Sequence, residues 1–259
     1  MKLPIGQIEK SANIIKLQGN LKRKRLFFFL MLSSVFIVIG LMETVFSNYT
    51  KPLHSNSITA PVALVYSGNV TGTAFLSGPT TLLTNRHVVD QIKLGEEVGV
   101  IFTLADRNID TKASVIWKDD ISESEKGLAK FETDFAVLSI VNPSDLPENM
   151  PIMTLGNSDE INISDEVKAI GYPSSIFSVT EGKISNSIVS KPNEEFDLIL
   201  LDCNIFPGNS GGPIMLSETE EVIGLAVAAG KGDFTGMNLG CKINLLKEKV
   251  KAEGIDIYK

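Results

Sequence analysis

Pro207-Gly208-Asn209-Ser210-Gly211-Gly212-Pro213 sets one serine among three glycines. A serine hydroxyl is a weak nucleophile until a base takes its proton and donors hold the oxyanion that its attack creates. Glycine tolerates positive φ, so a glycine-flanked serine lets the backbone turn sharply and aim N–H groups inward. The heptapeptide can therefore supply both a nucleophile and an oxyanion site. It reads equally well as a plain turn of Gly, Pro, Asn and Ser. A histidine and a carboxylate in suitable settings elsewhere decide between the two.

There are two histidines, His54 and His87. His54 lies in a polar, aperiodic stretch that offers nothing to orient an imidazole. His87 lies in Thr84-Asn85-Arg86-His87-Val88-Val89, at the end of a short apolar strand. Thr133-Asp134-Phe135-Ala136-Val137-Leu138 opens an apolar strand with one carboxylate. Taken singly, these are a structural histidine and a turn aspartate. Taken together, His87, Asp134 and Ser210 follow the chain order of the chymotrypsin-type triad, not that of subtilisin or the α/β-hydrolases. In that reading Ser210 Oγ attacks a carbonyl carbon. His87 takes its proton and later returns it to the leaving amine, while Asp134 fixes the imidazole tautomer. The backbone N–H groups of Gly208 and Ser210 form the oxyanion hole.

The 259 residues suffice for one large domain or two small ones, with a sizeable core. Charge is unevenly spread. Residues 1–42 carry +6, against −7 for the whole chain, so residues 43–259 carry −13. An acidic body argues against nucleic acid as a partner, since phosphate contacts need a basic face. Two cysteines, Cys203 and Cys241, make neither a disulfide framework nor a zinc cluster, and two histidines make no multi-histidine metal site. No metal or other cofactor is expected.

Residues 1–25 form a polar tail ending in Lys22-Arg23-Lys24-Arg25. Residues 26–42 (LFFFLMLSSVFIVIGLM) contain no charge and no proline. That run is the short end of a transmembrane helix but longer than most signal-peptide cores, and no clean small-x-small site follows. It predicts an uncleaved signal anchor through which the chain meets a membrane once. Secretion after cleavage is the alternative. Basic flanks stay cytoplasmic, so the body is expected outside the cytoplasm. Residues 43–58, with Pro52, read as a linker.

From residue 59 the pattern is β-like: Val62–Tyr66, Gly72–Ser77, Leu82–Thr84, Val98–Thr103, Ala113–Trp117, Phe135–Ile140, Glu166–Ile170, Ile184–Val189, Leu198–Leu201 and Val222–Ala228. Many short strands between turn residues predict an all-β body, built as closed barrels or a sandwich. Residues 118–131 read as a charged loop with some helical character, and Asn142–Pro151 as the connector between two β units. The end reads as a helix, with Asn244 as its cap, Leu245, Leu246 and Val250 on one side, and Gly254 as its stop.

Residues from about 60 to 253 resemble trypsin-like serine proteases of the bacterial HtrA/DegP-like branch. The resemblance is carried by Gly72-Thr-Ala-Phe, Leu83-Thr-Asn-Arg-His-Val-Val, Thr133-Asp-Phe-Ala-Val-Leu, Ala169-Ile-Gly-Tyr-Pro, Gly208-Asn-Ser-Gly-Gly-Pro and Val222-Ile-Gly-Leu. It implies two six-stranded antiparallel β-barrels, about 59–141 and 151–243, then a terminal helix at 244–253, with the triad in the cleft between barrels. It also implies an endopeptidase acting on protein or peptide substrates through an acyl-enzyme, anchored in the bacterial inner membrane with a periplasmic catalytic domain. The pancreatic members carry Asp before the nucleophile, where it pairs with a newly cut N-terminus. Asn209 stands there, so that activation is not expected. The chain ends about 50 residues past Ser210, which leaves no room for the PDZ module usual in this branch.

In this fold the residues five and six before the serine, Ile205 and Asn204, line the primary specificity pocket. Ala226 falls where the glutamyl-specific relatives place a histidine. With no fixed charge among the three, the expected pocket accepts small or medium apolar side chains. Cys203 and Cys241 fall on segments that the resemblance runs side by side beneath it, as a disulfide or as two buried thiols. The rival reading is a binding or regulatory protein that keeps the protease fold without turnover. An esterase with the same triad is a third, disfavoured by the absence of a strand-turn-helix around Ser210.

Overall fold

The structure is a computed structural model that describes residues 58–120, 127–191, 194–227 and 238–259. Residues 1–57, with the apolar run 26–42, lie outside the described residues, and so does residue 228 of the last expected strand. Among the described residues no helix is long and apolar enough to cross a membrane.

Among the described residues, fourteen strands fall into two closed barrels and one ribbon. The first barrel contains β1 (Val62–Ser67), β2 (Val70–Leu76), β3 (Thr81–Thr84), β4 (Glu97–Thr103), β5 (Asn108–Lys118) and β6 (Ala136–Ile140). Its order is β1-β2-β3-β6-β5-β4, closed by β4 on β1. The second contains β7 (Glu166–Gly171), β8 (Ser178–Asn186), β11 (Leu198–Leu201), β12 (Pro213–Leu216), β13 (Val222–Val227) and β14 (Asn238–Lys242). Its order is β11-β14-β13-β12-β7-β8, closed by β8 on β11. The remaining pair, β9 (Val189–Lys191) and β10 (Glu194–Phe196), forms the ribbon.

Side-chain alternation explains why these residues form these strands. Along β5, Ile109, Thr111, Ala113, Val115 and Trp117 point inward and their neighbours outward, the period of two that a one-sided sheet requires. Barrel one is filled by Val65, Leu76, Leu82, Val100, Phe102 and Leu138. Barrel two is filled by Val167, Ile184, Ile199, Leu201, Ile214 and Ile223. A third apolar cluster unites residues of both barrels, among them Phe75, Leu83, Phe135, Tyr172, Met215 and Leu225. That shared layer fixes one barrel against the other.

The C-terminal helix, Ile243–Ala252, buries Ile243, Leu246 and Val250, each contributing about 1.5–3 kcal/mol. Leu245 is only half-buried, unlike the expectation. Asn244 does not cap the helix either: it lies inside the first turn, with Lys242 at the cap position. The reason is tertiary. Ser158 Oγ accepts the Asn244 N–H at 3.1 Å, so a distant hydroxyl satisfies a donor that a local cap would serve. Gly254 follows the helix at φ 70°. On its other side the helix is tied to barrel one by Trp117 Nε1–H donating to Glu253 (2.8 Å) and by the Lys249–Asp119 ion pair (3.0 Å).

Candidate active site

β3 and β6 are paired, with Thr84 opposite Ala136. The single turn Arg86–Val88 follows β3, and Asp134 stands two residues before β6 begins. The ladder therefore sets His87 beside Asp134. The His87 backbone N–H donates to Asp134 Oδ1 at 2.9 Å, and His87 Nδ1 meets Oδ2 at 2.5 Å. A carboxylate only accepts, so Nδ1 carries the proton and Nε2 is left as an acceptor. The Asp134 side chain is 3% exposed and that of His87 44%, so a buried anion orients a ring that is open to solvent.

Asn85 braces the pair from below. Fully buried, it donates from Nδ2 to the Asp134 carbonyl at 2.8 Å and touches Cys241 Sγ at 3.5 Å. Burial, then the Asp134 charge, pushes the Cys241 thiol well above its ordinary value. Burial likewise raises Cys203, to about 11. Both cysteines are free and buried, which resolves the pairing that the sequence left open. Only a thiolate alkylates quickly, so at pH 8 the native protein should take up almost no iodoacetamide. The denatured, unreduced protein should take up two equivalents per chain, and none would reveal a disulfide.

The loop that carries Ser210 is pinned on both sides. Gly211 N–H donates to the Ala226 carbonyl (2.9 Å) and Ala226 N–H to that of Gly212 (2.8 Å), which continues the β12–β13 ladder beyond Pro213↔Leu225. From barrel one, the Thr73 N–H donates to the Ser210 carbonyl at 2.8 Å. Gly72, next in β2, is wedged between the two segments: a Cβ there would lie 2.6 Å from a Val88 methyl and 3.1 Å from the Ser210 carbonyl. The turn that carries His87 and the loop that carries Ser210 thus meet across one residue. Among the described residues neither the Ser210 hydroxyl nor His87 Nε2 makes a hydrogen bond, so a donor and an acceptor stay uncommitted.

Two backbone donors are equally uncommitted. Among the described residues the N–H groups of Gly208 and Ser210 have no hydrogen-bond partner, yet the carbonyls of their own peptide units do. The Pro207 carbonyl accepts from Ser174 N–H at 3.2 Å, and the Asn209 carbonyl from Gly212 N–H at 2.8 Å. No peptide among the described residues is cis, so each N–H points opposite its tethered carbonyl. Gly208 has φ 106°, a conformation L side chains rarely adopt, and a Cβ there would run into the Tyr172 carbonyl. Ser174 and Ser175 also have positive φ, 52° and 64°, which is uncommon without glycine. These two strained serines belong to the turn that holds the Pro207 carbonyl. Nothing in the sequence marks them except the proline before them.

Of the three residues assigned to a specificity pocket, only Asn204 is exposed. Its carbonyl accepts from Thr180 Oγ1 at 2.9 Å. Ile205 and Ala226 are buried in the barrel-two core.

The trypsin-like peptidase domain family matches residues 72–225. A probable periplasmic serine endoprotease, DegP-like, from Pseudomonas savastanoi pv. phaseolicola is 32% identical over 191 residues, covering 71% of this chain and 35% of the relative. The protein of the same description from Chlamydia pneumoniae is 34% identical over 176 residues, covering 65% and 31%. The chain spans about a third of the length of the curated relatives it matches. Among solved structures, the HtrA-type protease AlgW with tripeptide is similar at 30% identity and TM-score 0.57, covering 76% of this chain and 62% of that one. The serine endoprotease from Yersinia pestis, at 22% identity and TM-score 0.56 with 75% and 62% covered, shares the fold.

Proposed function

This chain belongs to the trypsin-like peptidase family, and from that membership we propose that it is a serine endopeptidase whose catalytic residues are His87, Asp134 and Ser210. The observation that carries this reading is the His87–Asp134 pair, whose geometry leaves Nε2 as the free base. Ser210 Oγ attacks the carbonyl carbon of a peptide bond while Nε2 accepts its proton. The new C–O⁻ is held by the Gly208 and Ser210 N–H groups. The imidazolium, steadied by Asp134, then protonates the leaving amine. Its departure leaves an acyl-enzyme, which water hydrolyses by the reverse proton path.

The substrates are proteins or peptides, cut after small or medium apolar residues. Asn204, the exposed one of the three residues assigned to the pocket, brings no charge that would read an acidic or a basic side chain, and neither do Ile205 and Ala226 packed in the core behind it. The body works outside the cytoplasm, tethered to a bacterial inner membrane by residues 26–42. The basic block before that run supports this, as does the periplasmic description of the relatives.

A mixed peptide library tests activity and specificity together. The full chain should cleave after apolar residues of modest size. The Ser210→Ala variant should lose roughly 10⁴–10⁶ in rate. Cleavage mainly after Glu, Lys or Arg would overturn the pocket assignment. Equal cleavage by Ser210→Ala would overturn the nucleophile and favour a non-catalytic role for the fold.

A further inference from the structure

Thr73 is fully buried in β2, and all its polar atoms are engaged. Its N–H donates to the Ser210 carbonyl (2.8 Å). Its carbonyl accepts from Thr84 Oγ1 (2.7 Å). Its hydroxyl donates to the Gly208 carbonyl (2.7 Å) and accepts from the Tyr172 N–H (3.0 Å). β3 pairs with β2 only at Phe75 and Leu76. At Thr73, beyond the end of that pairing, the strand offers its N–H to the nucleophile loop instead. One barrel-one residue therefore grips that loop at Gly208 and Ser210, the two residues whose N–H groups would hold the oxyanion in the proposed mechanism. Through Tyr172 it also holds the start of the turn whose Ser174 N–H tethers the Pro207 carbonyl.

We propose that Thr73 is a positioning residue that holds the oxyanion loop of barrel two in working shape from barrel one, acting through its side-chain hydroxyl. Gly208 sits between two peptide planes, Pro207–Gly208 and Gly208–Asn209. The carbonyl of the first is tied to Ser174 and that of the second to Thr73 Oγ1. With both tied, the φ of 106° at Gly208 is fixed from each side. A glycine otherwise rotates freely, and rotation of its first plane would turn the N–H away and put a carbonyl in its place. Losing the hydroxyl removes one of the two ties on the second plane, leaving only the Asn209 N–H bond to the Phe206 carbonyl (2.9 Å), and strips the Tyr172 N–H of its buried acceptor. It leaves the His87–Asp134 pair and the Thr73 backbone bond to Ser210 untouched. The Thr73 methyl packs toward Gly212, so Val preserves its shape and Ser preserves its hydrogen bonds.

This inference rests on the endopeptidase reading, so the experiment combines one catalytic and one non-catalytic measurement on the full chain. Thr73→Val should lower kcat roughly 10- to 100-fold, below the cost of removing an oxyanion donor outright. KM should stay within about twofold, and Thr73→Ser should restore kcat to within about threefold. Amide hydrogen exchange of peptides spanning residues 206–212 should quicken in Thr73→Val and revert in Thr73→Ser, with β5 and β6 unchanged. A purely structural Thr73 would lower Tm while leaving kcat per folded molecule alone. Wild-type kcat together with wild-type exchange at 206–212 in Thr73→Val would overturn the proposal. If the wild type turned over no peptide or ester, the endopeptidase reading would fail, and the exchange data would still decide whether Thr73 holds the loop. If Thr73→Val does not fold, Thr73→Ala removes the same hydroxyl without adding bulk and is read in the same way.

Discussion

Replacing Asp134 by Asn should lower turnover by about 10⁴ and leave the fold in place. The side chains have nearly the same shape, and the Asp134 carbonyl would keep its bonds from Asn85 and Arg86. The change is in proton logic. Asp134 accepts twice, from the His87 backbone N–H and from Nδ1. An amide can offer its oxygen to the backbone N–H, but then its NH₂ faces Nδ1 and donates. The imidazole proton moves to Nε2, and the ring can no longer accept from Ser210. Side-by-side rate and melting measurements check this. The expected outcome is a collapse of kcat with a Tm shift of only a few degrees. Near-normal turnover would remove Asp134 from the mechanism.

The second large effect is on stability. Gly211 has φ 83°, and a Cβ there would overlap both Thr84 Oγ1 and the Thr73 carbonyl. These two atoms are hydrogen-bonded to each other in the buried seam between barrels. Neither is the end of a flexible chain, so the clash has no inexpensive escape. Gly211→Ala should cost about 4 kcal/mol, from left-handed strain plus overpacking. For a folded body of about 200 residues that lowers Tm by roughly 8–16 °C. Gly68 is the control: its φ is 62°, but a Cβ added there would meet nothing within 4 Å. Gly68→Ala should lose only the strain, about 1 kcal/mol. Equal losses at the two positions would show that the seam has room to spare.

The candidate constellation could be proposed from the sequence because histidine is scarce, with two in the chain, and because the order His87, Asp134, Ser210 is informative. Aspartate and serine are common in the chain, so Asp134 and Ser210 stood out by their settings, an apolar strand start and a glycine-flanked turn, and not by rarity. The barrels were legible from strands that alternate, and only their closure needed the resemblance. What stayed hidden depends on contacts distant in sequence. Thr73 reads as an ordinary strand residue, and its role appears only when a carbonyl 135 residues away arrives at its hydroxyl. Asn244 looked like a helix cap because Ser158 is invisible to local reasoning. The left-handed serines at 174 and 175 follow a proline, but no local rule selects serine for such a conformation. Burial of Ile205 and Ala226 in the barrel-two core follows from the closing of that barrel, which spacing from the serine does not convey.

The central claim is that Ser210 is a nucleophile activated by His87 beside a formed oxyanion site. A fluorophosphonate probe tests it most directly, because it reacts with an activated serine and does not depend on guessing a substrate. The full chain should be labelled stoichiometrically at Ser210, and Ser210→Ala should not be labelled. Asp134→Asn should be labelled far more slowly than the wild type. An unlabelled wild type, or a label that persists in Ser210→Ala, would contradict the account.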